Sequence, residues 1–143
     1  VIDSANDILA KLKADPQFMS YVGLYDFGSG ITQDALVVLS SNQQVPGVKE
    51  VVGLEVVINR IPDTSTKAVI SGCLIRQKIW TIYLVQYENS EPDIAVQAAD
   101  RLTELAPGAK YSQLGNGFSD MSGIDQVVVR IPAFAQLLDP AEL

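Results

Sequence analysis

The chain has 143 residues, 48% of them hydrophobic and 19% charged, with ten basic residues against seventeen acidic ones for a net charge of −7. That length suits one domain able to bury its own core, and the apolar content excludes a disordered chain. There is no histidine, and Cys73 is the single cysteine. Ser-His-Asp and Cys-His centres, Cys-based zinc clusters and an internal disulfide are therefore excluded.

The basic residues are spread along the sequence, with Lys11/Lys13 and Arg76/Lys78 the closest pairs. A duplex-binding protein needs clustered cations to displace counterions from phosphates, so no specific nucleic-acid binding is expected. The apolar runs are strand-sized, well short of the roughly 20 residues that span a bilayer. With no basic-then-apolar opening segment and one cysteine, a soluble protein made in a reducing cytoplasm is expected, without membrane contact.

Ile2, Ala5, Ile8, Leu9 and Leu12 recur at helical spacing, Asp3 or Ser4 can cap the first turn, and Asp15-Pro16 ends the helix. Tyr21–Phe27 reads as a short strand closed by the turn Gly28-Ser29-Gly30. Ala35–Leu39 is a second apolar run, and its Val37-Val38 pair favours a strand. From Val48 to Pro62 the alternation is extended, with Val52, Leu54, Val56 and Ile58 on one face. The polar stretch Thr64–Lys67 reads as a connection to a longer strand from about Ala68 to Tyr87, with Gly72 as a bulge. The two long strands predict an antiparallel hairpin.

Ser90 is placed to cap the next helix, with Pro92 in its first turn and Asp93 in a capping box. Ile94, Ala98, Leu102 and Leu105 form its apolar stripe, and Pro107-Gly108 stops it. Gly115–Gly123 reads as a long turn before a last strand over Ile124–Ile131. The order predicts an α+β single domain over residues 1–143: an antiparallel or mixed sheet with a long hairpin and two α-helices on one face.

Chemical motifs are sparse. Gly28-Ser29-Gly30 lacks the GK[ST] of a phosphate loop and reads as a turn. Asp93, Asp100 and Glu104 read as a solvated helix face, with Arg101 pointing elsewhere. Asp120 and Asp125 lack the carboxylate density of a calcium loop. No catalytic, cofactor-binding or metal-binding residues are assigned, and no cofactor or enzymatic activity is expected. Ile79–Val85 is apolar on both faces, and two helices cover one face of a small sheet. The other face is left to the chain's own loops or to another subunit; the face of Arg76, Lys78, Trp80, Ile82 and Leu84 is taken as the candidate subunit interface, and that of Ile79, Tyr83 and Val85 as the helix side.

The run Arg76-Gln77-Lys78-Ile79-Trp80-Thr81-Ile82-Tyr83-Leu84-Val85, then Asp93–Leu105, Ala106-Pro107-Gly108-Ala109 and Val127–Ile131, resembles tail terminator and tail-completion proteins of long-tailed phages. The helix at Asp3–Ala14 fits the same order, whereas Tyr21–Gly47 has no counterpart. The resemblance implies a virion protein of the tail or neck. It would form a ring, a hexamer in that family, that caps the tail tube and meets the head-to-tail connector. The alternatives are another neck, connector or minor tail subunit, or a cellular ligand-binding or regulatory domain.

Overall fold

Helix α1 (Ala5–Lys13) begins where the Asp7 carboxylate accepts the backbone N–H groups of Asp3 and Ser4 at 3.2 and 3.1 Å. Ile8 and Leu12 on its apolar stripe are fully buried. Asp15-Pro16 ends this helix as expected and also starts another. The Asp15 carboxylate accepts from Gln17 and Phe18 N–H, capping the short helix α2 (Pro16–Met19). The computed structural model to which these elements belong describes residues 2–40, 45–68, 72, 74–87, 90–115, 125–133 and 135–139.

Strands β1 (Leu24–Gly28) and β2 (Ile31–Asp34) form a hairpin about Gly28-Ser29-Gly30, all three with positive φ. Strand β3 (Leu36–Leu39) confirms the extended reading of Val37-Val38. The run from Val48 is not one strand. It divides at Gly53 (φ +85°) into β4 (Glu50–Val52), which pairs with β1, and β5 (Leu54–Asn59), which pairs parallel to β3. Glycine is required there by close approach as well: its Cβ position lies 3.2 Å from the Gly23 Cα.

The stretch expected to be a connection is strand β6 (Asp63–Ala68), paired antiparallel with the first half of β7 (Leu74–Gln86). Thr64 and Thr66 suit an extended backbone despite their polarity. Ala68 therefore belongs to β6, and Gly72 (φ +78°) lies between the two strands rather than bulging from one. Strand β5 pairs with the second half of β7, as the hairpin expectation required.

Helix α3 (Ile94–Leu105) starts without the expected Ser90 cap. Asp93 takes a left-handed conformation (φ 62°), Ser90 Oγ instead donates to the Tyr87 carbonyl, and the Gln86 side chain accepts Ala95 N–H at 3.1 Å. The polar stretch after Pro107-Gly108 forms an unanticipated edge strand, β8 (Lys110–Gly115), beside β9 (Asp125–Pro132). The expected turn thus begins at Gly115, inside β8, and residues 116–124 lie outside the described residues.

The architecture is α+β. A main mixed sheet runs in the order β3-β5-β7-β9-β8, with β6 beside β7, and a small sheet runs β2-β1-β4. Helix α1 lies against β3 and β5, and α3 against β7 and β9. Cross-strand rows Leu36–Val56–Leu84–Val127 and Val38–Ile58–Ile82–Val129 face the helices in one core with Ile8, Leu12, Ala98 and Leu102. The α3 register is as expected. Leu102 is fully buried, so Leu102→Ala is expected to cost about 2–5 kcal/mol in urea unfolding. A change under about half a kcal/mol would contradict this packing.

Candidate interaction faces

Alternation along β7 turns Trp80, Ile82 and Leu84 towards the helices. They are 4%, 0% and 0% exposed and belong to the core cluster. The face expected to be the interface is therefore the helix side, and the face of Ile79, Tyr83 and Val85 is the other one. Arg76 and Lys78 share the first face by parity yet are exposed. The reason is length. Strand β9 pairs with β7 only from Ile79 onward and β5 only from Ile82 onward, so Arg76 and Lys78 lie beyond the sheet that the helices cover.

The second face carries the row Val37–Val57–Tyr83–Val128, flanked by Val85. Val128 is buried, while Val37, Val57, Tyr83 and Val85 keep part of their surface open. One corner of this face is held to the small sheet. The Glu55 carboxylate accepts the Tyr25 hydroxyl at 2.6 Å and the Tyr87 hydroxyl at 3.1 Å. Burial, reinforced by that carboxylate, pushes both phenols well above the usual tyrosine range. Both hydroxyls therefore stay protonated donors, Tyr25 tying β1 to β5 and Tyr87 tying the end of β7 to the same carboxylate. A cavity of about 370 Å³ adjoins them, lined by Leu39, Val48, Lys49 and Val57 among others.

Arg101 does not point away from its neighbours. Its guanidinium clasps Asp15 through Nε at 2.8 Å and through a terminal nitrogen at 3.0 Å, and also reaches Glu104 at 2.8 Å. The pair joins α3 to the start of α2 with Asp15 1% and Arg101 8% exposed. Hydrogen bonding to Arg101 holds the Asp15 carboxyl below its ordinary value against the opposing effect of burial. Asp100 accepts the Tyr111 hydroxyl at 2.6 Å, so this helix face is engaged rather than simply solvated. Of the two carboxylates considered for calcium, Asp120 lies outside the described residues, as does Cys73; Asp125 begins β9.

Strand pairing brings some of the cations that are dispersed in sequence onto neighbouring strands, on both faces of the sheet. Strands β6 and β7 pair through Ala68↔Leu74 to Asp63↔Ile79. Over residues 74–77 neither β5 nor β9 accompanies them, so they form a two-stranded ribbon beyond the main sheet, which the Ala133 N–H rejoins at the Lys78 carbonyl. Lys67, Arg76 and Lys78 are on this ribbon, and Arg60 precedes it. At its base Lys110 pairs with Arg130, which pairs with Thr81. Sequence spacing gave no sign of this grouping, because strand pairing creates it.

Among the described residues no group of three His, Cys, Asp or Glu side chains is placed to hold a metal ion, and no helix is long and apolar enough to cross a membrane. The fold and these faces define an α+β domain with one helix-covered sheet face, one partly open apolar face and a basic ribbon. No protein-family model, curated protein or solved structure matches the chain.

Proposed function

We propose that this chain is a structural, non-catalytic subunit that assembles with copies of itself into a ring, in the manner of a phage tail terminator. The reading rests chiefly on the partly open apolar row Val37–Val57–Tyr83, which lies on the sheet face away from the helices. Apolar surface of this kind is stabilised when a second subunit removes it from water. The order of elements that resembles tail terminator proteins supports the finer assignment: a virion subunit that caps the tail tube and meets the head-to-tail connector. The net charge of −7 suits a lumen through which DNA passes without adhering.

The test is light scattering across a wide concentration range, with electron microscopy of the assembled species. A discrete ring is expected. Tyr83→Glu is expected to leave the far-ultraviolet circular dichroism of the subunit unchanged and to reduce the assembled fraction at least about tenfold, because a charge enters a desolvated contact. A variant that assembles like the parent would place the contact on another face. The tail-tube role is tested by adding the ring to polymerising tube subunits, where it should arrest elongation.

The second reading, a ligand-binding or regulatory domain, is favoured by the cavity beside Tyr25, Glu55 and Tyr87. A monomer at every concentration, together with small-molecule protection against thermal unfolding, would support it over the ring.

A further inference from the structure

Two parts of this chain carry exposed charges of opposite sign, the ribbon of β6 and β7 and the small sheet. Arg76 and Lys78, both exposed, stand on the first half of β7, while Lys110 and Arg130 lie further along, at the register of Thr81. Among the described residues of β6 and the first half of β7, Asp63 is the carboxylate, and it accepts the Thr81 hydroxyl at 3.1 Å. At the other end of β7, Gln86 pairs with Leu54 and caps α3 through Ala95. The small sheet joins there, because Gly23 N–H donates to the Leu54 carbonyl and Ala35 N–H to the Gly23 carbonyl. Among the described residues, the small sheet and the turn before α3 carry Asp26, Asp34, Glu50, Glu91 and Asp93, with Lys49 the cation beside them. Eight residues of strand separate Lys78 from Gln86, about 26 Å at the usual rise.

The ribbon has a second property. Thr64↔Lys78, Ser65↔Gln77 and Thr66↔Arg76 pair with each other, and among the described residues β6 pairs with β7 alone. A lone two-stranded ribbon is marginal in water, and its free edges are open to a partner strand. At the acidic end β2 is likewise an edge strand, paired with β1, and all four of its residues are exposed, Ile31 at 61%.

We infer that the basic ribbon of one copy docks on the acidic small-sheet end of a second copy, giving a head-to-tail contact. The two surfaces differ, so the contact is heterologous, and repeating it closes a ring when the rotation allows. Opposite charge steers the approach and sets the orientation. The inference rests on the self-assembly reading above and adds a charged contact to its apolar one: Arg76 and Lys78 of one subunit against Asp34 and Glu50 of the next.

The experiment uses the full chain and two double variants, Arg76→Glu/Lys78→Glu and Asp34→Lys/Glu50→Lys, followed by sedimentation velocity. The parent should assemble at about 0.1 M salt, and about 1 M salt should weaken assembly by on the order of tenfold or more as the screening length falls from about 10 to about 3 Å. Each variant alone should sediment as a folded monomer, with unchanged circular dichroism. An equimolar mixture should regain the parent's assembled species, because each reversed ribbon then meets an opposite end. Assembly of either variant as tight as the parent's, or a mixture that stays monomeric, overturns the contact while leaving a ring-forming parent in place. A parent that is monomeric at every concentration overturns both the contact and the ring. A monomeric parent retained on immobilised duplex DNA, and released by Arg76→Glu/Lys78→Glu, would assign the ribbon to phosphates and likewise overturn it.

Discussion

Replacing Arg101 with methionine is expected to destabilise the fold by about 3–5 kcal/mol at neutral pH, because it leaves the Asp15 carboxylate buried without its cation. Asp15 is 1% exposed and would keep only the Gln17 and Phe18 N–H groups, at 3.3 and 3.1 Å. Loss of the Glu104 contact adds little, since that carboxylate side chain is 57% exposed and already solvated. The pH dependence follows from the direction of the Asp15 shift. Its folded value lies below the ordinary 3.8, so the stabilisation is present above the unfolded value and is lost as pH falls through the folded one. The gap between parent and variant should therefore be widest near neutrality and narrow below about pH 4. Urea unfolding at pH 7 and pH 3 measures both quantities. A gap that is constant with pH would show that methionine acts through packing rather than charge.

A larger effect is expected at Ile82, where Ile82→Glu should abolish folding of the single subunit rather than its assembly. Ile82 is fully buried and stands between Ile58 and Val129 in the centre of the sheet, under the helices. An ionised carboxylate there has no cation within the apolar row. It must protonate or stay unpaired, at a cost of several kcal/mol that adds to the lost apolar burial. A domain stabilised by roughly 5–15 kcal/mol in total can be unfolded by such a change. Lost near-ultraviolet circular dichroism and insolubility are the expected signs, while Tyr83→Glu, one residue away on the opposite face, should stay folded. If Ile82→Glu gave a folded monomer with native unfolding cooperativity, the helix side of β7 would have been misassigned.

This contrast between neighbours shows why the helix side was not legible in the sequence. Residues 79–85 are apolar on both faces, so alternation identifies two faces without ranking them. Arg76 and Lys78 suggested that their face met solvent or a partner, yet they report only on the part of β7 that outruns its neighbours. The edge strands β6 and β8 were missed for a related reason. Their polar residues resemble connections, and it is hydrogen bonding to β7 and β9 that makes them strands.

What the sequence determined by itself is local. The 3.6-residue spacing of Ile8 and Leu12, and of Ala98, Leu102 and Leu105, specifies two amphipathic helices and the faces they bury. The alternation of Val127, Val129 and Ile131 specifies β9 with its buried side, and the order of such segments specifies the α+β class. Tertiary structure decided whatever depends on residues far apart in the chain. The parallel pairing of β3 with β5, and the division of the Val48–Pro62 run at Gly53, are choices of partner strand. The Asp15–Arg101 clasp joins residues 86 positions apart, and strand pairing sets Lys110 beside Arg130 and Arg130 beside Thr81. No local period encodes such neighbours; they exist only once the sheet brings its strands into register.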